Sequence, residues 1–231
     1  MGQIKVNVLI GCEYSGVVRD AFIAAGHHAI SVDLLPTESP VDSSVCIHHE
    51  GDLIDFVDQC NGASLFFDLL IAHPPCTYLS GSGLHWSKRV PGRAAKTEQA
   101  LDFVRYIMDL DIPRIAIENP VGCISTRIDA TLYGFDNAKA AQYIQPFDYG
   151  HDASKKTGLW LKNLPPLTAD ANNYVEPRLI EYPKNSGSIV KRWANQTDSG
   201  QNKLPPSATR AKDRAKFYTG WANAMADQWG K

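Results

Sequence analysis

Among the 231 residues no apolar stretch approaches the roughly 20 residues that a membrane-spanning helix needs. The polar start MGQIKVNVLIG lacks the layout of a secretory leader, so a cytoplasmic protein with no membrane partner is expected. The five cysteines (Cys12, Cys46, Cys60, Cys76, Cys123) are odd in number and contain no C-x-x-C pair, which argues against a disulfide framework and against a structural zinc site. Adjacent histidines on an extended chain point to opposite faces, so His48 and His49 give no reason to expect a metal. Internal repeats and low-complexity tracts are absent as well. Neither phosphate-binding fingerprint is complete. A phosphate-cradling loop would need lysine where Val17 stands, and a dinucleotide turn would need a second glycine that the run after Gly11 lacks.

What is present is an ordinary globular composition, 44% hydrophobic and 21% charged, on a chain long enough for one core and a small lobe. The net charge of −2 hides an asymmetry: residues 1–75 carry −8, residues 76–150 balance, and residues 151–231 carry +6. A basic last third suits a polyanion, and an acidic first third suits a cationic cofactor.

The β-branched run 4–10 reads as a buried strand, the glycine-bounded turn 11–16 follows it, and residues 17–25 have a helical pattern closed by Gly26. A second strand, 28–32, ends at Asp33, whose carboxylate can accept both hydroxyls of a ribose. Strand, glycine turn, helix, strand and terminal acid make the first half of a nucleotide-binding α/β unit. With the phosphate fingerprints missing, an adenosine cofactor without phosphates fits best, which points to S-adenosylmethionine. Asp52 precedes an amphipathic helix as a cap and stands where it can also reach an adenine amino group.

The chain is organised around DLLIAHPPCTYLS, residues 68–80. The apolar run 69–72 is a strand, and Pro74-Pro75 ends it at a rigid corner. That corner holds Cys76 at a strand's carboxyl end, where open α/β sheets bind ligands, so its thiol is a candidate nucleophile. The polar, glycine-rich segment 77–92 reads as an irregular loop, with Tyr78, His85 and Trp86 available to stack on bases and Lys88, Arg89 and Arg93 to meet phosphates. A helix over 94–110 and a strand over 114–117 follow, the strand ending in Glu118-Asn119-Pro120. Parallel packing would bring Glu118 near Cys76, and burial among apolar walls would favour its acid form. Farther on, 145–166 contains a hairpin, 168–206 is loop-dominated with scattered basic residues, and one helix spans about 210–229.

In content and order, from about Val6 to Pro120, these pieces resemble the cytosine-5 methyltransferases that act on nucleic acid, in a compact, phage-type branch with a reduced target-recognition region. The resemblance implies a Rossmann-like class I methyltransferase fold, a mostly parallel doubly wound α/β sheet with a small loop-rich C-terminal lobe. It divides the chain into a cofactor-binding and catalytic core (1–150), a candidate recognition lobe (151–206) and a C-terminal helix packing back on the core (207–231). It implies that S-adenosylmethionine is held by Gly11, Cys12, Glu13, Tyr14, Ser15, Gly16, Asp33, Leu34, Asp52, Leu53, His73, Pro74 and Asn223. Cys76 is implied as the nucleophile, with Glu118 and Asn119 holding the base. Tyr78, Ser80, Trp86, Lys88, Arg89, Arg93, Lys155, Lys156 and Thr157 are implied as contacts to DNA, a duplex with one cytosine flipped out.

The pattern departs from the family at Asp33 (usually Glu), His73 (Gly), Thr77 (Gln) and Pro120 (Val). The usual Gln-x-Arg-x-Arg motif is missing, and Lys155-Lys156-Thr157 is the candidate substitute. RNA or a free pyrimidine nucleotide as substrate, amino-methylation of a base, and an inactive DNA-binding module remain open alternatives.

Overall fold

The computed structural model describes residues 4–40, 47–84, 86, 89–207, 210–215 and 217–231. Cys46, His85, Lys88 and Lys216 lie outside the described residues.

Short apolar runs become strands and amphipathic runs cover them. Strands β1 (Asn7–Gly11), β2 (His28–Asp33), β3 (Ile47–Glu50) and β4 (Leu69–Ala72) alternate with helices α1 (Val17–Ala24) and α2 (Leu53–Gly62). A short helix, α3 (Gly81–Leu84), and the long α4 (Arg93–Asp109) lead into β5 (Arg114–Pro120) and then α5 (Ile124–Arg127). Strands β6 (Gln142–Ile144) and β7 (Thr157–Lys162) complete a seven-stranded sheet of order 3-2-1-4-5-7-6. The pairs through β5 are parallel, and β7 runs antiparallel to both β5 and β6. This is the expected Rossmann-like, doubly wound α/β fold: strand order reverses between β1 and β4, which places the ligand crevice at their carboxyl ends.

Each face of the sheet buries a separate core. One packs Val18 and Phe22 of α1 with Trp221, Met225 and Trp229 of the last helix; the other packs Leu53 and Val57 of α2 with Leu101, Val104 and Ile107 of α4.

Four expectations change. Strand β5 does not stop at Ile117, because β7 lies antiparallel beside it and continues the ladder to Pro120. The segment 77–92, expected to be irregular, contains α3. The lobe contains a two-stranded hairpin, β8 (Arg178–Glu181) with β9 (Ile189–Arg192). The expected single terminal helix is two, α6 (Arg210–Ala215) and α7 (Thr219–Trp229), with Tyr218 extended before the second; α7 turns its tryptophans into the core.

Candidate active site

Sheet register lines up the chemistry. Val32, Gly11, Ala72 and Ile117 pair across β2, β1, β4 and β5. The next residue on each strand is therefore Asp33, Cys12, His73 and Glu118, one row along the carboxyl edge at about 4.8 Å per strand.

A cavity of about 400 Å³ opens on this row. Its wall includes Cys12, Glu13, Tyr14, Ser15, Asp33, His73, Pro74, Cys76, Glu118 and Asn119. At Gly11 an added Cβ would lie 2.8 Å from Leu53 Cδ2, so glycine there leaves room for Leu53 of α2 to pack beneath the turn. Gly16, at φ +75°, makes the sharp entry to α1. Glu13 is buried and committed to that entry: its carboxylate accepts from Ser15 Oγ and from the Val18 and Arg19 amides, capping α1. Asp33 Oδ1 accepts from the Leu35 amide at 2.9 Å, and burial pushes the carboxyl above its ordinary value. A ribose diol would suit that carboxylate.

Other residues expected at the cofactor stand elsewhere. Leu34 is 70% exposed, and Leu35 takes its place in the wall. Asp52 caps α2 through the Ile54 amide, and Leu53 is buried beneath Gly11; neither lines the cavity. Asn223 is exposed on α7, away from the face that carries Trp221 and Met225, and is not in the wall.

The corner after β4 is tied down on several sides. The His73 amide donates to Gly11 O, Asn119 Nδ2 donates to Pro74 O at 2.7 Å, and the Leu79 and Ser80 amides donate to Cys76 O. Gly122 lies so close beneath that an added Cβ would sit 1.9 Å from Leu79 O. Cys76 is half-buried. Burial raises its thiol pKa, and Glu118 adds to the rise while Lys155 and Arg214 oppose it.

Glu118 corrects the sequence reading. Burial alone would push its carboxyl up, as expected, but Lys155 and the hydrogen-bonded His73 outweigh it and the net direction is down. Lys155 Nζ lies 3.7 Å from Oε1, and His73 Nδ1 lies 3.3 Å from Oε2. The resting group is therefore a carboxylate rather than the acid expected among apolar walls. Thr157, also expected to touch nucleic acid, is fully buried; its hydroxyl donates to Lys155 O, and it too favours the charged carboxylate. Three buried polar atoms cluster here without a hydrogen-bond partner among the described residues: His73 Nε2, Glu118 Oε1 and Asn119 Oδ1.

A second cleft, about 820 Å³, adjoins the first, and Cys76, Pro120, Lys155, Arg214 and Phe217 line both. Its far wall comes from the lobe, where Ser154 and Asn195 exchange hydrogen bonds, and Lys156 and Lys203 add positive charge. Ser80 lines this cleft. Arg93 is spent on the 77–84 turn, donating to Gly83 O and Thr77 O and lying over the Tyr78 ring. Arg89 lies over exposed Trp86, and Lys156 over Tyr143.

Sequence reasoning missed Phe217 and Arg214, and it assigned Lys155 to DNA without its second place beside Glu118. The signal for Lys155 is tertiary, the antiparallel register of β7 on β5. Among the described residues no group of three or more His, Cys, Asp or Glu side chains could hold a metal ion, and no helix is long and apolar enough to cross a membrane.

No family model and no curated protein matches the chain. Among solved structures it is similar to a SAM-dependent methyltransferase from Neisseria gonorrhoeae (13% identity, TM-score 0.35) over 69% of this chain and 63% of that one. It is also similar to the Dnmt2 methyltransferase of S. pombe (15% identity, TM-score 0.39) over 71% of this chain and 51% of that one. The chain thus spans less than two thirds of either, and the fold assignment rests on its own sheet order.

Proposed function

We infer that the protein is an S-adenosylmethionine-dependent methyltransferase that modifies carbon 5 of cytosine in DNA through a covalent adduct of Cys76. One observation carries this reading. Cys76 and Glu118 line the same cavity as Asp33, and Cys76 also opens on the larger, basic cleft, so an adenosine-sized ligand and a polyanionic substrate would meet at the sulfur.

The smaller cavity suits the cofactor: its volume is in the range of small-molecule sites, and Asp33 in its wall offers a carboxylate to a ribose, whereas Gly11 and Gly16 lie outside that wall. Bound there, S-adenosylmethionine supplies the methyl group that carbon 5 takes up. The chain does the rest. Carbon 5 is a weak nucleophile, so Cys76 sulfur adds to carbon 6, the electron pair moves to carbon 5, and ring nitrogen 3 receives a proton by way of Glu118. Asn119 holds the Pro74 carbonyl and with it the Cys76 corner. Solvent then takes the carbon 5 proton, Cys76 leaves as a thiolate, and ring nitrogen 3 returns its proton to the sulfur by way of Glu118, which restores the aromatic ring and the resting thiol. Lys155, Lys156, Lys203 and Arg214 supply charge for a phosphate backbone, and the target base must leave its stack at a cost of a few kcal/mol.

The test is incubation with cofactor and DNA carrying 5-fluorocytosine, whose carbon 5 cannot lose a proton. A covalent protein–DNA species is expected for the native chain and none for Cys76→Ser. An adduct that persists in Cys76→Ser, or a native protein that binds cofactor yet forms no adduct, refutes the reading.

A further inference from the structure

Residues 73 and 74 clamp residues 118 and 119. Asn119 donates to Pro74 O, while His73 Nδ1 meets Glu118 Oε2 at 3.3 Å. Neither side chain of the second contact has room to drift, since His73 is 10% and Glu118 6% exposed. The His73 ring is packed against Phe217, centroids 4.6 Å apart, and its own amide is fixed to Gly11 O. Because Glu118 is held as a carboxylate it can only accept, so the ring hydrogen in this contact is on Nδ1. Among the described residues Nε2 has no hydrogen-bond partner, so none of them competes for the orientation of the ring.

We propose that His73 is a positioning residue for Glu118, holding one carboxylate oxygen so that the other stays directed at the substrate base. The contest is with Lys155, whose ammonium stands 3.7 Å from Oε1. Without the Nδ1 donor, the hydrogen bond that holds Oε2 against rotation of the carboxylate into full contact with Lys155 is lost, and that rotation removes the oxygen that must serve ring nitrogen 3. The other titratable groups facing the pair, Asp33 along the row, Cys76 in the same wall and the Tyr218 hydroxyl, supply no competing hydrogen bond to Oε2 among the described residues. This inference rests on the cytosine chemistry above but belongs to this chain, since it depends on a side chain at a position where the family it resembles usually has glycine.

The test isolates the addition step by leaving out the cofactor. When Cys76 bonds to carbon 6 and nitrogen 3 takes a proton, carbon 5 can pick up a deuteron from D2O and lose its hydrogen, after which the sulfur–carbon bond breaks. Exchange at carbon 5 of DNA cytosine therefore reports Cys76 and Glu118 alone. His73→Phe keeps a ring against Phe217 and removes the donor; His73→Leu removes both; His73→Asn puts an amide N–H near the Nδ1 position. Positioning catalysis of this kind predicts that exchange by folded protein, its fold checked by circular dichroism, falls at least about tenfold in His73→Phe and His73→Leu, and that His73→Asn restores it to within about threefold of native. Native exchange in His73→Phe, or equal damage in His73→Asn and His73→Phe, overturns the proposal. A native protein that shows no exchange and does not bind S-adenosylhomocysteine by calorimetry overturns the functional reading itself.

Discussion

Replacing Lys155 by Met keeps most of the side chain's length over Trp221 and deletes its charge, so it tests whether the ammonium is what keeps Glu118 ionised. At 3.7 Å a pair of unit charges attracts by about 4 kcal/mol at an effective dielectric near 20. Breaking a buried pair by removing one partner typically costs about 3–5 kcal/mol, and with His73 still on Oε2 the lower end applies, about 3 kcal/mol. The sign follows from the depressed carboxyl. Its stabilisation is fully present above the ordinary carboxylate value of 4.5 and is lost as pH falls through the lower folded value. Urea unfolding of native, Lys155→Met, Glu118→Gln and the double variant gives the pairwise coupling. We expect Lys155→Met to lower stability by about 3 kcal/mol at neutral pH, the loss to shrink at acid pH, and Glu118→Gln to recover much of it when combined. A coupling below about 0.5 kcal/mol, or a loss that is the same in acid, refutes the argument that Lys155 holds the charge on Glu118.

Two further outcomes follow from the site. Asp33→Asn should weaken S-adenosylhomocysteine binding by about tenfold in calorimetry with little change in Tm, since an amide donates where a ribose diol needs an acceptor; unchanged affinity would remove Asp33 from the cofactor site. The rate of carbon 5 exchange should be level between pH 4.5 and 9.0, the ordinary carboxyl and thiol values, and fall only beyond them, because the carboxyl is lowered and the thiol raised; a steady tenfold rise per pH unit through that window would mean that Cys76 must first lose its proton to solvent.

Much of the sheet was legible because its strands are short, apolar and bounded by turn residues: 28–32, 69–72 and 114–117 stand close to where the pattern puts them. Legibility failed where structure depends on a distant partner. Nothing local in Glu118-Asn119-Pro120 says that β7 will extend the strand as far as the proline. The 210–229 stretch has the composition of one helix, and only the burial of Trp221 and Trp229 against α1 explains the break before α7. The same limit governs the site. Asp33, Cys76 and Glu118 follow recognisable strand ends, whereas Glu13, read as a cofactor contact, is also an internal cap, and Lys155, read as a phosphate contact, is a partner for Glu118.

The apparent conflict between the resting charges and the chemistry disappears when protons are counted over the pair instead of assigned to each residue. Adding Cys76 to carbon 6 needs a thiolate and an acid; the fold instead raises the thiol and lowers the carboxyl, leaving a thiol and a carboxylate. Both descriptions contain one transferable proton. Coupled sites titrate as a unit, so the proton on Cys76 can reach ring nitrogen 3 through Glu118 with none exchanged with solvent. The addition is then independent of pH as long as the pair carries that single proton, between ionisation of the carboxyl below and of the thiol above. Lys155 favours the anion on Glu118 and on Cys76 alike, and it lies in the wall common to both cavities. It therefore lowers the energy of the anion on whichever of the two atoms holds it, which is what a proton passing between them requires.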